Sequence, residues 1–309
     1  MGRRLTAPPS GEQIELHFGE QRAVVVEVGG GLRCYEVGER AVLDGYREDQ
    51  ICSGGRGQPL IPWPNRVCDG RYEWDGQAFQ LDISEPALAN AIHGLLRWRN
   101  WTVRERSATR VVMAHVLRPS SGYPFALELS LDYTLDEGGL TVAAQATNVG
   151  ATDCPFGVGF HPYLIPPGTE LVDDCLLSLP AATRLNADAR SIPRSREPVA
   201  DTPYDFSSSQ RIGDLVLDSC FTDLGRDADG LARVVLESQI GGERTELWLD
   251  AGYPFVMLFS GDTLTGAERR RGLAVEPMSC APNAFQSGDG LVRLEAGETH
   301  VALWGVAAV

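Results

Sequence analysis

Three side chains have the types that move protons near neutral pH, and each sits where the backbone must be irregular or a strand must end. His93 lies in Asn90-Ala-Ile-His93-Gly-Leu, and His161 in Gly157-Val-Gly-Phe-His161-Pro-Tyr-Leu. A glycine or proline beside each histidine implies irregular backbone, from which a rigid scaffold commonly presents catalytic groups. Seen alone, either histidine reads first as a hydrogen-bonded structural residue, and His17, His115 and His300 keep that reading. Glu276 ends the apolar run Gly272-Leu-Ala-Val and precedes Pro277, which cannot donate to a sheet ladder. Burial at a strand end raises a carboxyl pKa and makes it a better proton acceptor near neutrality. A plain strand-end glutamate fits that feature equally well. Asp218 closes the apolar stretch Leu215-Val-Leu in the same manner, with a turn as its ordinary role.

Other residues have the chemistry to hold a polar ligand. Asn65-Arg66 follows Ile61-Pro-Trp-Pro, a stiff segment in which a planar guanidinium can grip hydroxyls or a carboxylate. A surface ion pair is the plain alternative. Trp63, Trp98, Trp101, Phe160 and Tyr163 can stack on the apolar faces of a sugar ring, although core packing explains most aromatics.

These side chains need elements to position them, and strand patterns run from end to end. Leu127 to Leu135 has an apolar residue at every second position, the signature of a half-buried strand. Tyr72 and Trp74 before Asp75-Gly76, with Phe79, Leu81 and Ile83 after it, predict a tight hairpin. Further strands are predicted over 23–28, 110–117, 141–148, 232–238, 243–249, 255–260 and 300–306. No window sustains an apolar stripe at helical spacing, and 34 glycines and 19 prolines favour turns, so helices should be short and peripheral. Strands without interleaved helices favour an all-β, large antiparallel sandwich over parallel α/β architectures. Residues 1–13 read as a loose N-terminal arm and 14–309 as one domain, with a polar surface excursion from Asp188 to Gln210.

Composition narrows the partners. Lys+Arg 27 against Asp+Glu 42 gives a net charge of −15, a field that repels phosphate backbones and anionic membrane surfaces. No apolar stretch is long enough to span a bilayer, and the N-terminus lacks a secretory pattern, which together predict a cytoplasmic protein binding neither nucleic acid nor membrane. The seven cysteines are odd in number and contain no Cys-x-x-Cys pair, so they read as reduced, buried small residues.

In chain order these segments resemble the aldose 1-epimerase (galactose mutarotase) family. The matching blocks are Pro62-Trp-Pro-Asn65-Arg66 with Gly70, His93-Gly94 followed by Trp101, His161-Pro162-Tyr163, and Glu276-Pro277 leading into Leu294-Glu-Ala-Gly297-Glu298. The resemblance implies a galactose mutarotase type of sandwich whose concave face holds a hexose, and cofactor-free exchange of its α and β anomers. It also implies Glu276 as the base at the C1 hydroxyl, His161 as the acid at the ring oxygen, and His93 as an aid beside it. Arg66 and Asp218 match positions that hold sugar hydroxyls, with Asn65 in the same block and Trp98 or Phe160 lining the cleft. This reading requires the two imidazoles and the carboxyl to face one another across a hollow the width of a pyranose. No metal is implied, and the chain is expected to be a monomer or homodimer acting on a monosaccharide.

Three departures from the family pattern bear on the sugar: Trp63-Pro64, Leu95 after His93-Gly94, and Asn283 after the Glu-Pro block. Arg97 and Arg99, flanking Trp98, can meet a phosphate or sulfonate at C6, because arginine forks suit oxyanions. A solvated Arg-x-Arg edge is the plain alternative. Two other functions compete: a metal-dependent β-barrel enzyme using two histidines and a carboxylate, and a non-catalytic carbohydrate-binding protein.

Overall fold

Alternation along single strands builds the sheets. The structure, a computed structural model, describes residues 7–309. Along Leu127–Asp136, residues Leu127, Leu129, Leu131, Tyr133 and Leu135 are buried while the residues between them are not. This is the period-two geometry of a strand with one covered face. The strand belongs to a nine-stranded sheet ordered Thr102–Arg106, Arg110–Leu117, Leu127–Asp136, Gly139–Asn148, Thr299–Ala308, Arg244–Leu249, Ala232–Ser238, Cys175–Ser178 and Gln210–Arg211. A second sheet runs Pro193–Pro198, Ala181–Ala187, Asp218–Leu224, Phe255–Phe259, Leu273–Met278, Gly159–Phe160 and Pro59–Leu60, with Tyr163–Leu164 also paired to Leu273–Met278. Pairing within both sheets is antiparallel.

The sheets close on one core. Phe160 of the second sheet meets Trp304 of the first, with ring centroids 5.4 Å apart, and both belong to a single buried apolar cluster. The architecture is the all-β antiparallel sandwich expected from the strand pattern. A four-stranded sheet from Gln13–Phe18 to Arg40–Ala41 packs its Ile14, Leu16, Ala23 and Val25 into the same cluster. Among the described residues no helix is long and apolar enough to cross a membrane.

The predicted strands over 110–117 and 232–238 have the observed bounds, and the others differ by a residue or two. The hairpin pairs Arg71–Trp74 with Gln77–Gln80 across Asp75 and Gly76, whose φ of 48° and 74° are the left-handed values a tight two-residue turn requires. Its second strand ends at Gln80 because Leu81 turns into the core.

Several expectations are corrected. The α-helix Ala284–Ser287 is short but not peripheral, since Phe285 is buried against Trp63 and Tyr72. The stretch 188–210 is not a plain surface excursion: Pro193–Pro198 extends the second sheet, and Ile192, Val199 and Phe206 are buried. Asp218 opens a strand rather than closing one. Glu276 sits inside Leu273–Met278, and pairing with the neighbouring strand continues through Pro277 to Met278, so the proline removes one donor without ending the ladder. Of the arm 1–13, residues 1–6 lie outside the described residues. Ser10 is buried, its carbonyl accepts the Val28 N–H, and the first strand already starts at Gln13.

Candidate active site

Strand register puts a carboxyl and an imidazole together that are far apart along the chain. Gly159 pairs with Met278 and Tyr163 with Ala274, so His161, in the break between these two short strands, falls opposite Glu276. Its Nε2 lies 3.4 Å from Glu276 Oε1, and both side chains are buried. The same parity turns Met257 and Phe259 of the next strand, and Asp218 of the one beyond, toward the same face. These residues line a cleft of about 530 Å³, a size suited to a small organic ligand. Beside it, on the same face of the sheet, Cys220, Met257 and Met278 belong to a second buried apolar cluster.

The walls come from loops. Asn65 and His93 both have positive φ, 54° and 61°, and are tied to each other: the His93 N–H donates to the Asn65 carbonyl at 2.8 Å, and the Asn65 N–H donates to His93 Nδ1 at 3.2 Å. Because Nδ1 accepts, the neutral ring carries its proton on Nε2, which makes His93 a donor. Gly94 follows at φ 70°, and a Cβ there would stand 2.0 Å from the Ile61 carbonyl oxygen. Only glycine fits the approach that aims His93 at His161, with ring centroids 5.4 Å apart.

Arg66 is held from behind. Its Nε and Nη2 each donate to Glu85 at 2.8 Å, and Asn90 donates to the same carboxylate at 2.9 Å. Arg66 Nη1 makes no protein hydrogen bond among the described residues, and Arg66 lines the cleft. Arg97 also lines the cleft, is half-buried, and forms no side-chain hydrogen bond or ion pair among the described residues.

Burial dominates the titration of the site. Desolvation holds the Glu276 carboxyl well above its usual range, Asp218 adds to the effect, and Arg66 opposes it. Desolvation also pushes His161 down to about 3, with Arg97 the leading cation in the same direction. His93 is lowered by burial, then by His161, Arg97 and Arg66. Asp218 is raised by desolvation within the cleft although the residue as a whole is exposed. Burial thus disfavours the charged form of both partners in the Glu276–His161 pair. A proton passed from Glu276 to His161 would create a carboxylate base beside an imidazolium acid.

The structure separates the sequence-derived residues. Glu276, His161, His93, Asn65, Arg66, Asp218, Trp98 and Arg97 all line the cleft, as does Tyr163. Phe160 does not: alternation points it to the opposite face, into the core against Trp304. Arg99 does not either, since it lines a separate pocket with His115 and Arg118. Trp63 and Trp101 are core residues. The two histidines and the carboxyl are gathered side by side rather than across a pyranose-wide hollow. Among the described residues no group of three His, Cys, Asp or Glu is placed to hold a metal ion. Sequence reasoning missed Glu85 and Ser191, which join the walls only through chain folding.

Comparison with known proteins identifies the family and the fold. A family model described as Aldose 1-epimerase matches residues 12–303. The chain is 36% identical over 292 residues to the uncharacterized protein YihR of Escherichia coli K12, covering 94% of this chain and 91% of that protein. It is 28% identical over 233 residues to galactose mutarotase of Homo sapiens, covering 66% of this chain and 64% of that protein. Among solved structures, the GalM/aldose epimerase homologue from C. elegans superposes with a TM-score of 0.85 at 18% identity, covering 96% of this chain and 99% of that one. Galactose 1-epimerase from Lactobacillus acidophilus does so with a TM-score of 0.80 at 20% identity, covering 96% and 94%. At these identities the two structures speak to the fold.

Proposed function

This chain belongs to the aldose 1-epimerase family, and on that premise we propose that it interconverts the α and β anomers of a hexose by acid–base ring opening. The observation that carries the reading is the Glu276–His161 contact of 3.4 Å on the cleft floor. Ring opening removes a proton from the C1 hydroxyl and delivers one to the ring oxygen, and both oxygens hang on the same carbon. An acid and a base that serve them must stand side by side, as this pair does.

In the cleft, the Glu276 carboxylate takes the C1 hydroxyl proton while the His161 imidazolium protonates the ring oxygen. The C1–O5 bond breaks, the C1 carbonyl forms, and rotation about C1–C2 exposes its other face. Reversal of both transfers closes the ring as the opposite anomer. Opening leaves Glu276 protonated and His161 neutral, the pairing that burial favours, and the reactive carboxylate–imidazolium pair is formed from it by proton transfer between the two side chains. His93 donates from Nε2 near the ring oxygen, Arg66 and Asp218 hold hydroxyls with Asn65 beside them, and Trp98 offers its exposed indole at the rim. These side chains carry the whole proton transfer, and the reaction calls for no cofactor.

For the sugar itself, the reading extends to a hexose bearing an anion at C6, a phosphate or sulfonate. Arg97 supports it, as a half-buried cation without a carboxylate partner among the described residues. Polarimetry on freshly dissolved α-D-glucose, α-D-galactose and C6-phosphorylated or sulfonated hexoses tests both levels. Faster rotation with an anionic sugar supports the full reading, and with neutral sugars alone it removes the C6 assignment. No acceleration with any of them overturns the function.

A further inference from the structure

His161 has more behind it than its strand. Its ring stacks on Tyr163 with centroids 5.0 Å apart and planes 18° from parallel. The Arg56 guanidinium lies over the Tyr163 ring, 4.9 Å from its centroid. Arg56 is itself buried and pinned: its Nε donates to Asp44 at 3.0 Å, and its Nη1 donates to both the carbonyl and the hydroxyl of Ser53 at 3.0 Å. Tyr163 donates its hydroxyl to the Gly54 carbonyl at 3.0 Å. The next residue, Gly55, passes so close to His161 that a Cβ would stand 2.9 Å from the ring. One loop, residues 53–56, thus supplies Arg56 and contacts both rings of the stack.

A buried arginine is a costly way to fill space, because a desolvated cation is retained only where its partners repay it. Arg56 does not line the cleft and Tyr163 shields it from the sugar side. Resting on the reading of His161 as the acid, we propose that Arg56 is a positioning residue that acts through Tyr163, fixing the plane of the His161 imidazole so that Nε2 meets Glu276. Planar groups stacked face to face resist tilting, and a misplaced proton donor costs rate steeply. The charged groups around the stack are Asp44 and Glu268 on Arg56, Arg271 on Asp44, and Glu276, Arg66 and Arg97 near His161. Arg56 also contributes to the lowering of His161.

The test combines a titration with kinetics on Arg56→Met. By NMR of ¹⁵N-labelled histidine, His161 should titrate at higher pH in R56M than in the wild type, since a nearby cation is gone. Turnover should fall about 10- to 100-fold with KM changed far less, and the acid limb of the pH profile should move upward. A folded R56M with wild-type titration, kcat and profile overturns the proposal. Should R56M fail to fold, Tyr163→Phe and Tyr163→Leu decide by the same titration. The phenylalanine keeps the stacked ring and should preserve the His161 titration, whereas leucine should shift it; identical curves overturn the proposal. Because the titration needs no turnover, a wild-type protein inert on every sugar would defeat the proposed function and leave this experiment readable.

Discussion

Glu276 and His161 are in contact, so the limits of the pH profile should belong to the pair and not to either residue alone. Burial pushes His161 down to about 3 and Glu276 up. The profile of kcat/KM should therefore be a bell whose acid limb lies well below the roughly 6.5 of a free histidine. An acid limb near that value in stopped-flow polarimetry would contradict the buried pair. Glu276→Gln should keep sugar binding, measured calorimetrically, while anomer exchange falls by about 10²- to 10⁴-fold, the usual worth of a positioned acid or base. Stability follows by linkage. His161 stays neutral in the native state and charges in the unfolded chain, so its contribution is whole above roughly pH 6.5 and drains as pH falls toward its lowered value. Urea midpoints of His161→Gln should accordingly depend less on pH across that interval than those of the wild type. At Arg97, replacement by glutamine should weaken an anionic hexose by about 1.5–3 kcal/mol, the worth of a charged hydrogen bond, and leave a neutral one nearly unchanged. The types of all these residues were legible in the sequence, but their protonation was not, because desolvation is made by neighbours distant in the chain.

At the scale of elements, local geometry was readable and pairing was not. Period-two alternation announced Leu127–Asp136, and Asp75-Gly76 announced a hairpin, because both depend on residues a few positions apart. The strand carrying Glu276 was misjudged at Pro277, since whether one missing N–H ends a ladder depends on the strands beside it. The turn after His93 gives the sharpest test of this scale. Gly94→Ala would add a Cβ 2.0 Å from a backbone oxygen at φ 70°, whereas Gly76→Ala, at φ 74°, meets nothing within 4 Å. Left-handed strain alone costs roughly 1–2 kcal/mol. Gly76→Ala should lose about that much by chemical denaturation and keep activity. Gly94→Ala should lose more and, by displacing His93, lose activity too. Equal losses would mean that the Ile61 approach is not constraining.

For the molecule as a whole, one sandwich core carries the sheet that carries the site. Trp304 and Phe160 join the two sheets, both fully buried. Trp304→Ala should cost about 3–5 kcal/mol, read from urea unfolding. Paired with Phe160→Ala, it should show a coupling of about 0.5–3 kcal/mol, since each removes the other's partner. Additive losses would place the rings in independent parts of the core.

From the sequence alone came the proton-handling residue types, the all-β class and the acidic surface, each following from composition or from contacts within a few residues. Parity even required Phe160 and its neighbour His161 to point opposite ways. Which of the two faces the cleft was decided by the tertiary structure, because a strand's two faces are equivalent until another layer covers one of them, and the separation of Arg97 from Arg99 was decided by a turn that no strand parity governs. The same holds for the Glu276–His161 contact: register between strands more than a hundred residues apart is a property of the assembled sheet, and no local pattern encodes it.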